Sequence, residues 1–385
     1  MDRKMSSNDR NPRKLLKSKW ILFRISALIL GLVFAFVCAE VLARLIFPDY
    51  LIRAGTERNF FCDFDPILGW RHKSNFSAQH ERYGFSVYVH HNQYGIRGPD
   101  TITTDKPPKK KRCLVLGDSS AWGFGANQDE VFTDPKCHKS EDVELINFSV
   151  SGYGTDQELL HYERLGESFQ ADSVALVVTL DNDFGNNLSA REYGYSKPYF
   201  TLDGDSLVLH TEQIRPPYAK RFRDFWRTRL VIVNYLDAVF RSAKTQRKIK
   251  TKSTAKTNAD ALLTYDDLPE EYLESVKLTA RIIKRLQEKT KAQGREFFVV
   301  FVPSKNHIEN LAERNHPLAA PLAAELQALG IEYREPYFIF LEKRKKGHDL
   351  FNPWEDHLNA SGHLLFAKVF VEDSTINAVK NLYSK

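Results

Sequence analysis

The chain reads as an α/β protein: a doubly wound parallel sheet of the flavodoxin-like type, with an N-terminal transmembrane helix and a mixed α/β insertion. Three observations carry this expectation. Five short apolar runs end in turn-forming residues: CLVLGD from Cys113, VELINFSV from Val143, SVALVVTLDND from Ser173, EFFVVFVPSK from Glu296 and IEYREP from Ile331. The third run is apolar on both faces, as suits a strand covered by helices on either side. Amphipathic segments separate the runs, so strand and helix alternate. Ahead of them all, the twenty residues from Trp20 to Ala39 carry a single charge, Arg24.

Taken in order, residues 1–19 form a basic tip with seven Lys/Arg against Asp2 and Asp9, a net of +5. The whole chain of 385 residues is only +6, so the other 366 residues are close to neutral. A neutral body behind a basic tip is not a nucleic-acid footprint, and no nucleic-acid partner is expected. Residues 20–47 follow as a transmembrane anchor, since twenty helical residues at about 1.5 Å each cross a ~30 Å hydrocarbon core. The basic flank places the N-terminus in the cytoplasm and the remainder in the periplasm or outside the cell. Val37-Cys38-Ala39 loosely fits a signal-peptide cleavage site, but the apolar run continues as VLARLIF, which favours a retained anchor. Cys62, Cys113 and Cys137 would then occupy an oxidising space where one disulfide can form.

Residues 48–110 read as a lead-in with short strands, DPILGW and FSVYVHHN, and a turn-rich NQYGIRGPD. The polar run Thr101–Arg112, with two prolines and a cluster of lysines, reads as a solvated linker. The body, 111–385, starts there. TDQELLHYERLGESF is an amphipathic helix with Leu159, Leu160 and Tyr162 on its apolar side. An insertion at about 185–295 separates the third strand from the fourth. It holds a β-hairpin turning at Asp203-Gly204-Asp205, a basic-aromatic helix from about Tyr218 to Ser242, a flexible Lys244–Asn258 stretch and a helix over about Glu270–Ala292.

Four segments have the chemistry for a site, and each falls at the end of a strand or in the last loop, where a parallel sheet gathers its loops. Gly117-Asp118-Ser119-Ser120 places a serine at a strand–helix junction, exposed and close to free backbone N–H groups. The same pattern also reads as a plain capped turn. Gly152, in NFSVSGYGT, allows a backbone N–H close to a ligand, and Asn182, in Asp181-Asn182-Asp183, offers a side-chain amide. Glu355-Asp356-His357-Leu358-Asn359 sets carboxylates beside a histidine, which can orient the ring and stabilise its protonated form. His363 reads as structural. Neither a CxxC pair nor an HExxH spacing occurs, so no metal and no cofactor are expected.

These four blocks together resemble the SGNH/GDSL hydrolase family, over residues 111–184 and 296–370. The GW…NQYGIRGP segment also resembles the lead-in of its membrane-anchored bacterial members. The resemblance implies a serine hydrolase with Ser119 as nucleophile, His357 as base, and an oxyanion hole made by Ser119, Gly152 and Asn182. The family's acid is an aspartate two or three residues before the histidine. Here Glu355 takes the two-residue spacing of the polysaccharide O-acetylation relatives, with Asp356 the alternative. Asp181 replaces the usual glycine and puts a charge near the oxyanion site. Pro303-Ser304-Lys305 is similar to a proline-lysine loop of the acetylation relatives and reads either as an anionic-substrate contact or as a solvated loop. The expected function is a membrane-tethered esterase removing an acyl group, acetyl first, from a carbohydrate or lipid. The alternatives are a polysaccharide O-acetyltransferase on the same Ser/His site and a non-catalytic glycan-binding protein.

Overall fold

The computed structural model describes residues 12–46, 60–82, 84–227, 229–236, 239 and 270–379. Most of the basic tip and the Lys244–Asn258 stretch lie outside the described residues. The chain divides into two compact units, Met1–Ala54 with Arg223–Thr251, and Gly55–Phe222 with Lys252–Lys385.

In the first unit a single helix runs Pro12–Ile46, its proline in the first turn where no intrahelical N–H is lost. Over Lys19–Ile46 it is long and apolar enough to cross a membrane. The basic-aromatic helix of the insertion stops at Arg227, and a second helical stretch starts at 231. The sequence reading of one helix to Ser242 is therefore corrected. The physical reason lies 191 residues away: Glu40 accepts the backbone N–H groups of Val231 (2.9 Å) and Ile232 (3.1 Å), capping a new helix start.

The second unit opens with two antiparallel hairpins, β1 (Cys62–Asp65) with β2 (Gly69–His72), and β3 (Phe76–Arg82) with β4 (Phe85–His91). Five parallel strands follow: β5 (Lys111–Leu116), β6 (Val143–Asn147), β7 (Ser173–Thr179), β12 (Glu296–Val302) and β13 (Glu332–Arg334). Their lateral order is β13-β12-β7-β5-β6. The chain leaves β5 first to one side and then returns to the other, so the topological switch point falls between β5 and β7, where such sheets bind ligands. Between β7 and β12 lie the short strands β8 (Arg191–Glu192) and β9 (Tyr195–Ser196), and the expected hairpin. There β10 (Tyr199–Asp203) pairs with β11 (Ser206–His210) through a Gly204-Asp205 turn.

Alternation along the strands builds a core on each face. Leu114, Leu116, Leu176, Val178, Val299 and Phe301 point to helices Thr155–Arg164, Glu270–Ala292 and Ala319–Ala328, represented by Leu159, Ile283 and Leu322. Their neighbours Val115, Val177, Val300 and Val302 point to helices Tyr337–Lys345 and Ala360–Val371, through Phe340, Phe366 and Val369. Each such side chain contributes about 1.5–3 kcal/mol by leaving water. The sheet is doubly wound. His363 is fully buried, stacks on Phe132, and has its pKa pushed down to about 3 by burial, so it is a neutral core residue.

One expectation changes here. The Thr101–Arg112 run is not wholly solvated: Arg112 is buried, and its guanidinium donates to Glu144 (2.6 Å) and to the Thr103 carbonyl (2.9 Å). Lys111 and Arg112 already belong to β5. Cys38 is exposed, and Cys62, Cys113 and Cys137 are buried.

Candidate active site

β5 ends at Leu116 and the chain turns through Gly117, where a Cβ would stand 2.6 Å from that of Ala121. Only glycine lets the strand run this close to the following helix. Asp118 caps that helix, Ser119–Trp122, by accepting the Ser120 N–H at 2.8 Å. Ser119 is thereby set at the helix start, half-buried, with its hydroxyl 2.8 Å from His357 Nε2. The two residues are 238 positions apart in sequence. That distance is ordinary for an O–H···N hydrogen bond.

Asp118 is itself fully buried and does more than cap. Its Oδ1 also accepts from the Thr179 hydroxyl (2.9 Å), and its Oδ2 accepts from the Asn182 amide (2.8 Å). One carboxylate therefore ties the ends of β5 and β7 together at the switch point. Asn182 keeps a second N–H for another acceptor. The 150–153 turn reaches the same place, because Val150 N–H donates to the Gly117 carbonyl at 2.9 Å. Gly152 in that turn has φ +77°, a conformation that favours glycine. Asp181 is exposed, accepts from the Ser304 hydroxyl (3.2 Å) and lies 3.8 Å from His316.

His357 sits in a loop closed by Asn352 N–H donating to the His357 carbonyl, at 2.9 Å. Phe124 stacks on its ring, centroids 4.5 Å apart. Glu355 is half-buried and Asp356 exposed on the same loop. Lys305, read from sequence as a substrate contact or a solvated side chain, instead reaches into this loop. Its ammonium donates to the carbonyls of Asn352 (2.9 Å) and Glu355 (3.1 Å) and is 12% exposed. If the His357 imidazole takes the Ser119 proton, Lys305→Met lowers turnover by roughly 10- to 100-fold through its misplacement. The check is steady-state kinetics with substrate affinity measured separately; an unchanged kcat contradicts this role.

The hairpins before the sheet form a wall of the site that local sequence patterns did not reveal. Trp70 Nε1 donates to the Ser151 carbonyl (3.2 Å), Ser151 N–H donates to His72 Nε2 (3.4 Å), and the Tyr153 hydroxyl donates to the Trp70 carbonyl (2.5 Å). These hold the Gly152 turn. Arg97, from NQYGIRGP, donates to the carbonyls of Trp122 (3.1 Å), Gly123 (2.6 Å) and Ala126 (2.6 Å), holding the far end of the serine helix. Phe124 packs against His80 and Phe85. In the sequence, NQYGIRGP (92–99) reads as a turn and DPILGW and FSVYVHHN as short strands, none of them as a brace.

Beneath the site lie two buried carboxyls, Glu158 and Asp183. Burial first, and the neighbouring carboxylates next, push both pKa values well above the ordinary range. Both Glu158 oxygens lack a hydrogen-bond partner among the described residues. A carboxyl protonated when folded but ionised when unfolded costs stability as pH rises above about 4.5, at up to about 1.4 kcal/mol per pH unit. Glu158→Gln should remove one proton from that dependence. Denaturant unfolding between pH 5 and pH 7 should show a shallower loss in the variant; equal slopes contradict it.

No family model and no curated protein matches the chain. Among solved structures, a psychrotrophic esterase, EstA, from Pseudoalteromonas aligns at TM-score 0.35 and 13% identity, over 70% of this chain and all of that one. A member of the lipolytic G-D-S-L family from Veillonella parvula aligns at TM-score 0.36 and 11% identity, over 68% of this chain and 98% of that one.

Proposed function

We propose that the protein is a serine esterase, tethered to a membrane by its N-terminal helix with the site on the extracytoplasmic side. Its substrate is an acylated, first of all acetylated, carbohydrate or lipid. The observation that carries this reading is the 2.8 Å contact between Ser119 Oγ and His357 Nε2 at the switch point of a parallel sheet. As Oγ attacks the ester carbonyl, its proton passes to Nε2. The oxyanion that forms is met by the N–H groups of Ser119 and Gly152 and by the remaining N–H of Asn182. Collapse breaks the C–O bond, Nε2 returns the proton to the leaving alcohol, and the acyl group stays on Ser119. Water activated by the same nitrogen then releases the acid. Glu355 is assigned as the carboxylate supporting the imidazole, with Asp356 as the alternative.

The purified full chain in detergent should hydrolyse p-nitrophenyl acetate and release acetate from an O-acetylated oligosaccharide or a short-chain glyceride. Activity on none of these overturns the proposal. Acetyl transfer to an added oligosaccharide in excess of hydrolysis would replace the esterase with an O-acetyltransferase on the same residues.

A further inference from the structure

We infer that residues 223–227 and 229–236 form a membrane-surface segment fastened to the outer end of the anchor helix, with its exposed side chains among the lipid headgroups. This rests on the reading that the anchor helix spans a bilayer. Glu40 is 7% exposed on a helix whose neighbouring side chains Val41 and Leu42 are 53% and 57% exposed. Its carboxylate accepts from Val231 N–H, Ile232 N–H and Arg44 Nε, and the Arg44 guanidinium also donates to the Arg229 carbonyl. Twenty residues separate Trp20 from Glu40, a rise of about 30 Å, which is the depth of the hydrocarbon core. With Trp20 at one boundary, the fastening sits at the other. An acid placed there is tolerated because it is fully engaged.

The segment, helical up to Arg227 and again from 231, buries polar side chains while its aromatic rings stay exposed. Its polar members Asp224 (1% exposed), Arg227 (7%) and Asn234 (4%) are buried, together with Val231 (2%). Phe225 (46%), Trp226 (41%), Tyr235 (51%) and Leu236 (46%) face out. Aromatic rings gather where bilayer meets water, and arginines beside them suit phosphate headgroups. Arg229 lies over the Phe225 ring at 3.8 Å, and Arg223 keeps its side chain half exposed. Continuity with the anchor selects the lipid surface over a soluble partner as the occupant of this face.

The test uses the full chain in vesicles containing phosphatidylcholine brominated near the headgroup end of its acyl chains, which quenches tryptophan at that depth. Comparing the parent with Trp20→Phe and Trp226→Phe isolates the emission of each residue. The expected result is that most of the Trp226 emission is lost, together with that of Trp20. Tyr235→Trp on the Trp226→Phe background should supply a second quenched reporter. Quenching of Trp20 with none at 226 and 235 overturns the surface segment and leaves the anchor standing. Quenching at none of the three overturns the anchor reading and this inference with it. Protection at 226 that grows with the protein-to-lipid ratio assigns the face to a second copy and also overturns the proposal.

Discussion

Ser119→Ala is expected to lower ester hydrolysis by roughly 10³- to 10⁶-fold while leaving the fold intact. The change removes one oxygen, whose hydrogen bond is to His357 Nε2. The backbone roles of residue 119 persist: its carbonyl accepts the N–H groups of Gly123 and Phe124, and its own N–H stays at the helix start. The cap on Ser120 from Asp118 is untouched. kcat/KM on a short-chain ester, with the melting temperature as control, separates lost chemistry from lost structure. Turnover within a few-fold of the parent would mean that another group attacks the ester.

Arg97→Leu carries the largest expected effect on stability, a loss of about 3–5 kcal/mol. Arg97 is 2% exposed, and its three carbonyl acceptors belong to the serine helix and the turn after it. Its Nε donates to Gln128, and its guanidinium lies 5.0 Å from the Trp122 ring centroid. A leucine fills some of the volume but takes a donor from each of those carbonyls, leaving Trp122 only the longer bond from Asn147 (3.4 Å) and Gly123 only the Ala126 N–H (3.2 Å), a cost that hydrophobic contact does not offset. Lysine has the charge but not the planar fork, so Arg97→Lys should fall between the two. Denaturation midpoints check the order. Activity should fall with stability, because the same carbonyls fix the helix that presents Ser119; equal midpoints for parent and leucine variant contradict the assignment.

The central sheet was legible because its strands announce themselves locally. In β7 and β12 almost every position is buried, so apolar residues succeed one another without a polar face. The proposed nucleophile, histidine and amide were legible for a different reason: each follows a strand or closes the last loop, and the topology alone brings such positions together. What local pattern could not show is which distant backbone a side chain will serve. Lys305 is attached to the loop of His357, through the Glu355 carbonyl 50 residues on, rather than to solvent. Arg112 looks like one of a run of surface cations and is buried against Glu144. Trp70, His72 and Arg97 lie in what reads as an irregular lead-in, yet they hold the Gly152 turn and the serine helix through bonds to backbone atoms. Backbone acceptors leave no trace in a side-chain pattern. The interruption of the 218–242 helix has the same origin, since its cap is a glutamate on the N-terminal helix.

The most direct measurement is the site of attachment of a fluorophosphonate, which reacts only with a serine whose hydroxyl is activated and whose oxyanion donors are in place. After labelling of the folded full chain, peptide mass spectrometry should find one adduct, on Ser119, lost when His357 is replaced by alanine. An unlabelled Ser119 in folded protein, or an adduct on a different serine, contradicts the proposed chemistry.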